Sequence, residues 1–215
     1  RTRVAVALEM INGPTFRTAL VNGLSRFLLG KPAAPDALAK FVSELNAGAT
    51  DEQIASEIIG SSRFFELAGR SNDRFVTLLY ENVLHREPTK QERARLVSAL
   101  NHGTSRQAAA LRLLTSREAI AGLVTNLSPT PLEPAQVATY VDIIKKYKVT
   151  DEAILAFVAT GTPIPSDIGS LTAVFEAPKG KVTVAAKPAA ATVSVAPRSV
   201  AAKHPSGPFK AAARR

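Results

Sequence analysis

Residues 42–48 read VSELNAG, and residues 97–103 read VSALNHG, 55 positions further on. At the same offset Leu29 falls on Leu84, Lys31 on Arg86, Thr50 on Ser105 and Ser61 on Ser116, with no gap. Self-similarity at a fixed period marks a repeated structural unit. One unit of that size buries too little apolar surface to be comfortable alone. Stacked neighbours that share a core remove the difficulty. Any fold for this chain must therefore place related segments against one another.

The signals inside the unit are helical. Phe75, Leu79 and Val83 recur every four residues, with Leu78 beside them, and form one apolar stripe. Asn72 is the expected N-cap of that helix, and Pro88 its stop. Thr89 and Glu92 have the spacing of a capping box, which opens a second helix burying Leu96, Val97 and Leu100. Gly103 suits the left-handed position just past a helix end. Thr104, with Gln107 three residues on, is the expected start of a third helix, whose apolar side is Leu111, Leu113 and Leu114. Thr115 and Glu118 offer one more box for the next helix. In the earlier copy Gly48 ends a helix, Thr50 and Gln53 form the box, and Ile54 and Ile58 begin the stripe. The expected fold is all-α: tandem three-helix repeats of about 55 residues, then an extended or disordered C-terminal tail.

The domain reading follows from the alignment of the copies. Residues 1–21 match the last part of a unit and are expected to be the end of a truncated repeat. Residues 22–70 and 71–125 are the two clear repeats, and 126–161 a degenerate terminal one. In that last segment Val137, Tyr140, Val141 and Ile144 make one helix face, and Thr150 caps the following helix. Residues 162–215 are a Pro/Ala/Lys-rich tail, with a short hairpin expected near 171–186.

Charge separates the body from the tail. The net charge is +9, yet no acidic residue follows Glu176, while eight basic residues lie between Lys179 and Arg215. The helical body is close to neutral. A basic tail can neutralise phosphates, with steep salt dependence. These charges are sparse, and Lys210, Arg214 and Arg215 form the one local cluster, a candidate contact for an anionic surface.

Little in the chain has the pattern of a reaction centre. It contains no Cys, which excludes disulfides and Cys-based metal sites. His85 and His102 fall at turns and His204 in the tail, without the spacing of a zinc pair. Asp51-Glu52 and Asp151-Glu152 suit the first turns of helices, where the dipole favours negative charge. No glycine-rich phosphate loop or serine elbow occurs. No metal or cofactor is expected, and no enzymatic activity. Arg86 admits two readings, a cation at a helix end or a clamp for an anionic sugar or carboxylate. Asn46, Gly48 and Thr50, with Asn101, Gly103, Thr104 and Ser105, likewise read as helix stops and caps, or as surface hydrogen-bonding sites for a glycan.

Tyr80-x-x-x-Leu84-x-Arg86-x-Pro88, followed by Leu100-Asn101-x-Gly103-Thr104-Ser105 and Ser116-x-Glu118, resembles the bacterial family called domain of unknown function 4214. The resemblance covers residues 1–125 well and 126–161 loosely. Thr89 and the Gln91–Arg93 stretch depart from the family's pattern, where an Asp and then a Gly commonly follow the Pro. The resemblance implies an all-helical fold, distantly similar to phycobilisome linker domains. Tandem copies of this style resemble those of secreted planctomycete proteins. It implies a module of a larger exported protein, secreted or at the cell surface. With no reaction centre in the sequence, the expected function is non-catalytic, in envelope or surface architecture, protein contacts or carbohydrate adhesion. Its expected partners are other domains of the same long chain and proteins or glycans at the surface. No uninterrupted apolar run in this sequence is long enough to span a bilayer. Nucleic-acid or anionic-polymer binding through the tail is the alternative from another class.

Overall fold

A computed structural model describes residues 13–128 and 130–147. The expectations for residues 1–12, for the helix capped by Thr150, for the hairpin near 171–186 and for the tail with Lys210, Arg214 and Arg215 lie outside the described residues. Within them the fold is all-α, with nine helices and no strand. These are α1 (Pro14–Leu29), α2 (Pro35–Asn46), α3 (Asp51–Gly60), α4 (Ser62–Leu67), α5 (Asn72–Leu84), α6 (Lys90–Asn101), α7 (Arg106–Leu114), α8 (Arg117–Leu127) and α9 (Pro134–Tyr147).

The local chemistry explains most boundaries. Thr50 and Gln53 close a reciprocal capping box at the start of α3, and Thr89 and Glu92 do so for α6. Pro14 and Pro35 stand at the first positions of α1 and α2, where a missing N–H costs nothing. After α2 the Ala49 N–H donates to the Glu44 carbonyl (2.9 Å), and after α6 the Thr104 N–H donates to the Ala99 carbonyl (3.0 Å). Gly48 (φ +101°) and Gly103 (φ +97°) supply the left-handed residue that this turn needs. Ser61 joins α3 to α4: its hydroxyl donates to the Ile58 carbonyl (2.6 Å) and accepts from the Phe64 N–H (3.3 Å).

Three caps differ from the sequence expectation by one residue. Ser71 caps α5 in place of Asn72, Ser105 caps α7 in place of Thr104, and Ser116 caps α8 in place of Thr115. In each case the expected residue is otherwise engaged. Asn72 is already helical, Thr104 belongs to the closing turn of α6, and the Thr115 hydroxyl donates back to the Leu111 carbonyl (2.8 Å).

α1 lies against α2, α3 and α4, while α5 lies against α6, α7 and α8. The two sets meet through α3 and α7, the most extensive helix–helix contact among the described residues. Ile54, Ala55, Ser56, Ile58 and Ile59 of α3 are all buried, so this helix is enclosed on most sides. Ser56 survives there because its hydroxyl donates to the Gln53 carbonyl (2.7 Å). On α7 the deepest residues are Ala109 and Ala110, and Leu113 and Leu114 only flank the core. Small side chains let the two backbones close in. At the edge of this contact a Cβ on Gly60 would sit 2.8 Å from the Gln107 Cβ. Phe64 of α4 meets Phe75 of α5 edge-on, with ring centroids 5.7 Å apart. One apolar cluster thus runs from α1 through α7. A smaller one joins Ile120 and Val124 of α8 to Val141 and Ile144 of α9. Among the described residues no helix is long and apolar enough to cross a membrane.

Candidate functional site

Arg86 stands in the turn between α5 and α6, just after His85, which takes a left-handed conformation (φ 54°). That turn aims the guanidinium at two carboxylates. Glu92 sits at the third position of α6, held by the capping box with Thr89. Glu118 sits in the first turn of α8. Arg86 Nη1 and Nη2 donate to the two Glu92 carboxylate oxygens (3.0 and 2.8 Å). Its Nε and Nη2 donate to the two Glu118 oxygens (2.6 and 2.8 Å). The remaining Nη1 hydrogen goes to the Glu87 carbonyl (3.0 Å). A guanidinium has five N–H donors, and here each has an acceptor. The Tyr80 ring lies 5.3 Å from the guanidinium carbon and completes the enclosure.

The charges respond accordingly. Hydrogen bonds from Arg86, then the Thr89 N–H, hold the Glu92 carboxyl down to about 2. Arg86 lowers Glu118 by the same means, and the two carboxylates raise Arg86. Burial raises the Tyr80 phenol. With its donors occupied, Arg86 has none to offer an anionic sugar or carboxylate, so the clamp reading fails here. The helix-end reading also changes, because the charge is spent on Glu92 and Glu118 rather than on the α5 carbonyls. At the matching place in the first set stand Lys31, Ala37 and Arg63, so this cluster has no counterpart there.

The asparagines have a shared task. Asn72 Nδ2 donates to Asn101 Oδ1 (2.8 Å), tying α5 to α6. At the same offset Arg17 donates to Asn46 Oδ1 and ties α1 to α2. Thr50 and Ser116 are spent on capping, Leu84 packs against the core at the end of α5, and Pro88 precedes the Thr89 cap. Arg93 adds a further tie, donating to Asp73 (3.1 Å) and to the Thr77 hydroxyl (2.7 Å). Sequence spacing alone did not join Arg86 to Glu118. The only available hint was that both fell inside the one motif.

A shallow depression of about 290 Å³ opens beside Asn72, where the end of α3 meets the start of α7. Gly60, Leu100, Thr104, Ser105, Arg106 and Gln107 line it together with Asn72. Arg106 stacks over the Phe65 ring, its guanidinium carbon 4.0 Å from the centroid. Its Nε is buried without a hydrogen-bond partner. The His102 ring is taken up by the Ser98 carbonyl (2.7 Å from Nδ1). Among the described residues no group of three or more His, Cys, Asp or Glu side chains could hold a metal.

The architecture is that of an all-helical domain whose polar motif residues hold helices together. Residues 55–123, from α3 to α8, match the model of the family described as domain of unknown function (DUF4214). The match contains both the Arg86 cluster and the depression. No curated protein and no solved structure matches the chain.

Proposed function

We propose that this chain is a non-catalytic helical module of a larger exported protein, serving envelope or surface architecture through contacts with protein or glycan. The observation that carries the reading is the fate of Arg86. The most chemically capable cation in the family motif has all five donors bound within the fold. The capping threonines and serines are also engaged within the fold, their oxygens accepting helix N–H groups. Side chains occupied in this way hold a scaffold and are poorly placed to run a reaction. The family resemblance supports the exported setting, and the repeated 55-residue offset supports tandem units that present similar surfaces.

The alternative is nucleic-acid or anionic-polymer binding by the tail, favoured by eight basic residues without an acidic one after Glu176. One pair of experiments separates the two. The full chain and a chain ending at residue 178 are tested for cosedimentation with bacterial envelope fragments and for titration of duplex DNA across a salt series. Envelope binding that survives removal of the tail supports the module. DNA binding that falls steeply with salt and disappears with the tail, without envelope binding, would replace it with the alternative.

A further inference from the structure

We infer that the depression beside Asn72 is a subsite for a carboxylated sugar, a single uronic acid residue, with Arg106 as its anion anchor. The inference rests on the glycan arm of the proposed function and gives it a location. Two arginines of the family segment invite comparison. Arg86 spends every donor inside the fold, whereas Arg106 has no hydrogen-bond or ion-pair partner among the described residues. Arg106 is half-buried and stacked over Phe65, with its Nε enclosed, which leaves its two Nη groups as the donors for a ligand. Such a guanidinium matches a carboxylate, which can take two parallel N–H bonds.

The rest of the depression suits a sugar ring. Ser105 accepts the Ala108 N–H and still has its own hydroxyl hydrogen to give. The Thr104 hydroxyl and the Gln107 side-chain amide make no hydrogen bond among the described residues, and both residues are exposed. Asn72 donates to Asn101 and keeps its carbonyl oxygen as an acceptor. Donors outnumber acceptors around one cation, and Leu100 is the single large apolar side chain. A volume of about 290 Å³ is at the small end for a ligand site, which fits one ring better than an extended peptide. The close approach of Gly60 to Gln107 sets the shape, because any side chain at Gly60 would push the start of α7 away.

The test is a titration of the full chain followed by backbone amide NMR, with sodium glucuronate, glucose, acetate and a hexaglutamate peptide as separate probes. The expected result is saturable shifts at Gly60, Asn72 and Thr104–Gln107 with glucuronate, weaker ones with acetate and none with glucose. Arg106→Gln should weaken glucuronate about tenfold or more. Thr104→Ala, at an exposed position, should weaken it several-fold with unchanged thermal unfolding, so the test survives a poorly folded Arg106 variant. Arg112→Gln, on an exposed arginine of α7, should change nothing. No shift at these amides overturns the site, as do equal responses to acetate and glucuronate, or binding of hexaglutamate alone. Glucuronate affinity that is unchanged in both Arg106→Gln and Thr104→Ala also overturns it. Envelope binding by a chain that ignores glucuronate would sink the subsite and leave the proposed module standing.

Discussion

Replacing Arg86 by Gln isolates the contribution of its cluster to the fold. The substitution removes two bidentate ion pairs and the cation over Tyr80, but it keeps a polar side chain of similar length. All three charged side chains are about one-third to one-half exposed, so solvent screens them and each pair is worth well under its buried value. Allowing about 0.5–1 kcal/mol for each pair and about 0.5 kcal/mol for the ring contact, the loss at pH 7 is about 2 kcal/mol. Urea unfolding followed by helical circular dichroism reads this as a lower midpoint with the same slope. The pH dependence adds a second check. Glu92 titrates near 2 in the folded chain, below its unfolded value of about 4.5. Its contribution is therefore complete above about 4.5 and fades as pH falls toward 2. Glu118, also lowered by Arg86, fades in the same direction. The gap between wild type and variant should narrow to under about 1 kcal/mol by pH 3. A variant within about 0.5 kcal/mol of wild type at pH 7 would refute the reasoning, as would a gap that does not depend on pH.

Other substitutions probe separate parts of the account. Gly60→Ala would place a Cβ 2.8 Å from the Gln107 Cβ and 3.0 Å from Gln107 backbone atoms, and should cost about 1–3 kcal/mol in urea unfolding despite the better helix propensity of Ala. Gly103→Val meets no atom within 4 Å but must adopt φ +97°, so calorimetry should show a loss of about 1 kcal/mol or more from conformation alone. Phe75→Ala removes a fully buried ring that packs edge-on against Phe64, and a midpoint shift equivalent to about 3–5 kcal/mol is expected.

The legible parts of this fold are those written in local chemistry. Thr50 with Gln53, Thr89 with Glu92, and the glycines at 48 and 103 mark helix ends by residue type and spacing, and the backbone follows them. The one-residue errors at Ser71, Ser105 and Ser116 have a common cause. Each site has two adjacent side chains able to cap, and the choice depends on how the preceding turn closes. At Thr104 the backbone N–H is drawn back to Ala99, which hands the capping position to Ser105. Tertiary choices were not legible. Leu111, Leu113 and Leu114 looked like the inner face of α7, yet Ala109 and Ala110 lie deepest because the approach of α3 favours small side chains. Arg86 and Glu118 are 32 residues apart, and no local rule joins them. The depression has the same origin, since it exists only where α3 ends against α7.

Most directly, the shared core is tested by native-state hydrogen exchange across a series of low urea concentrations. If α1–α4 and α5–α7 bury one cluster through α3 and α7, the amides of Ile58, Ile59, Ala109 and Ala110 should open with one common free energy, equal to that of global unfolding. Two separate free energies, with α1–α4 opening while α7 stays protected, would contradict the account.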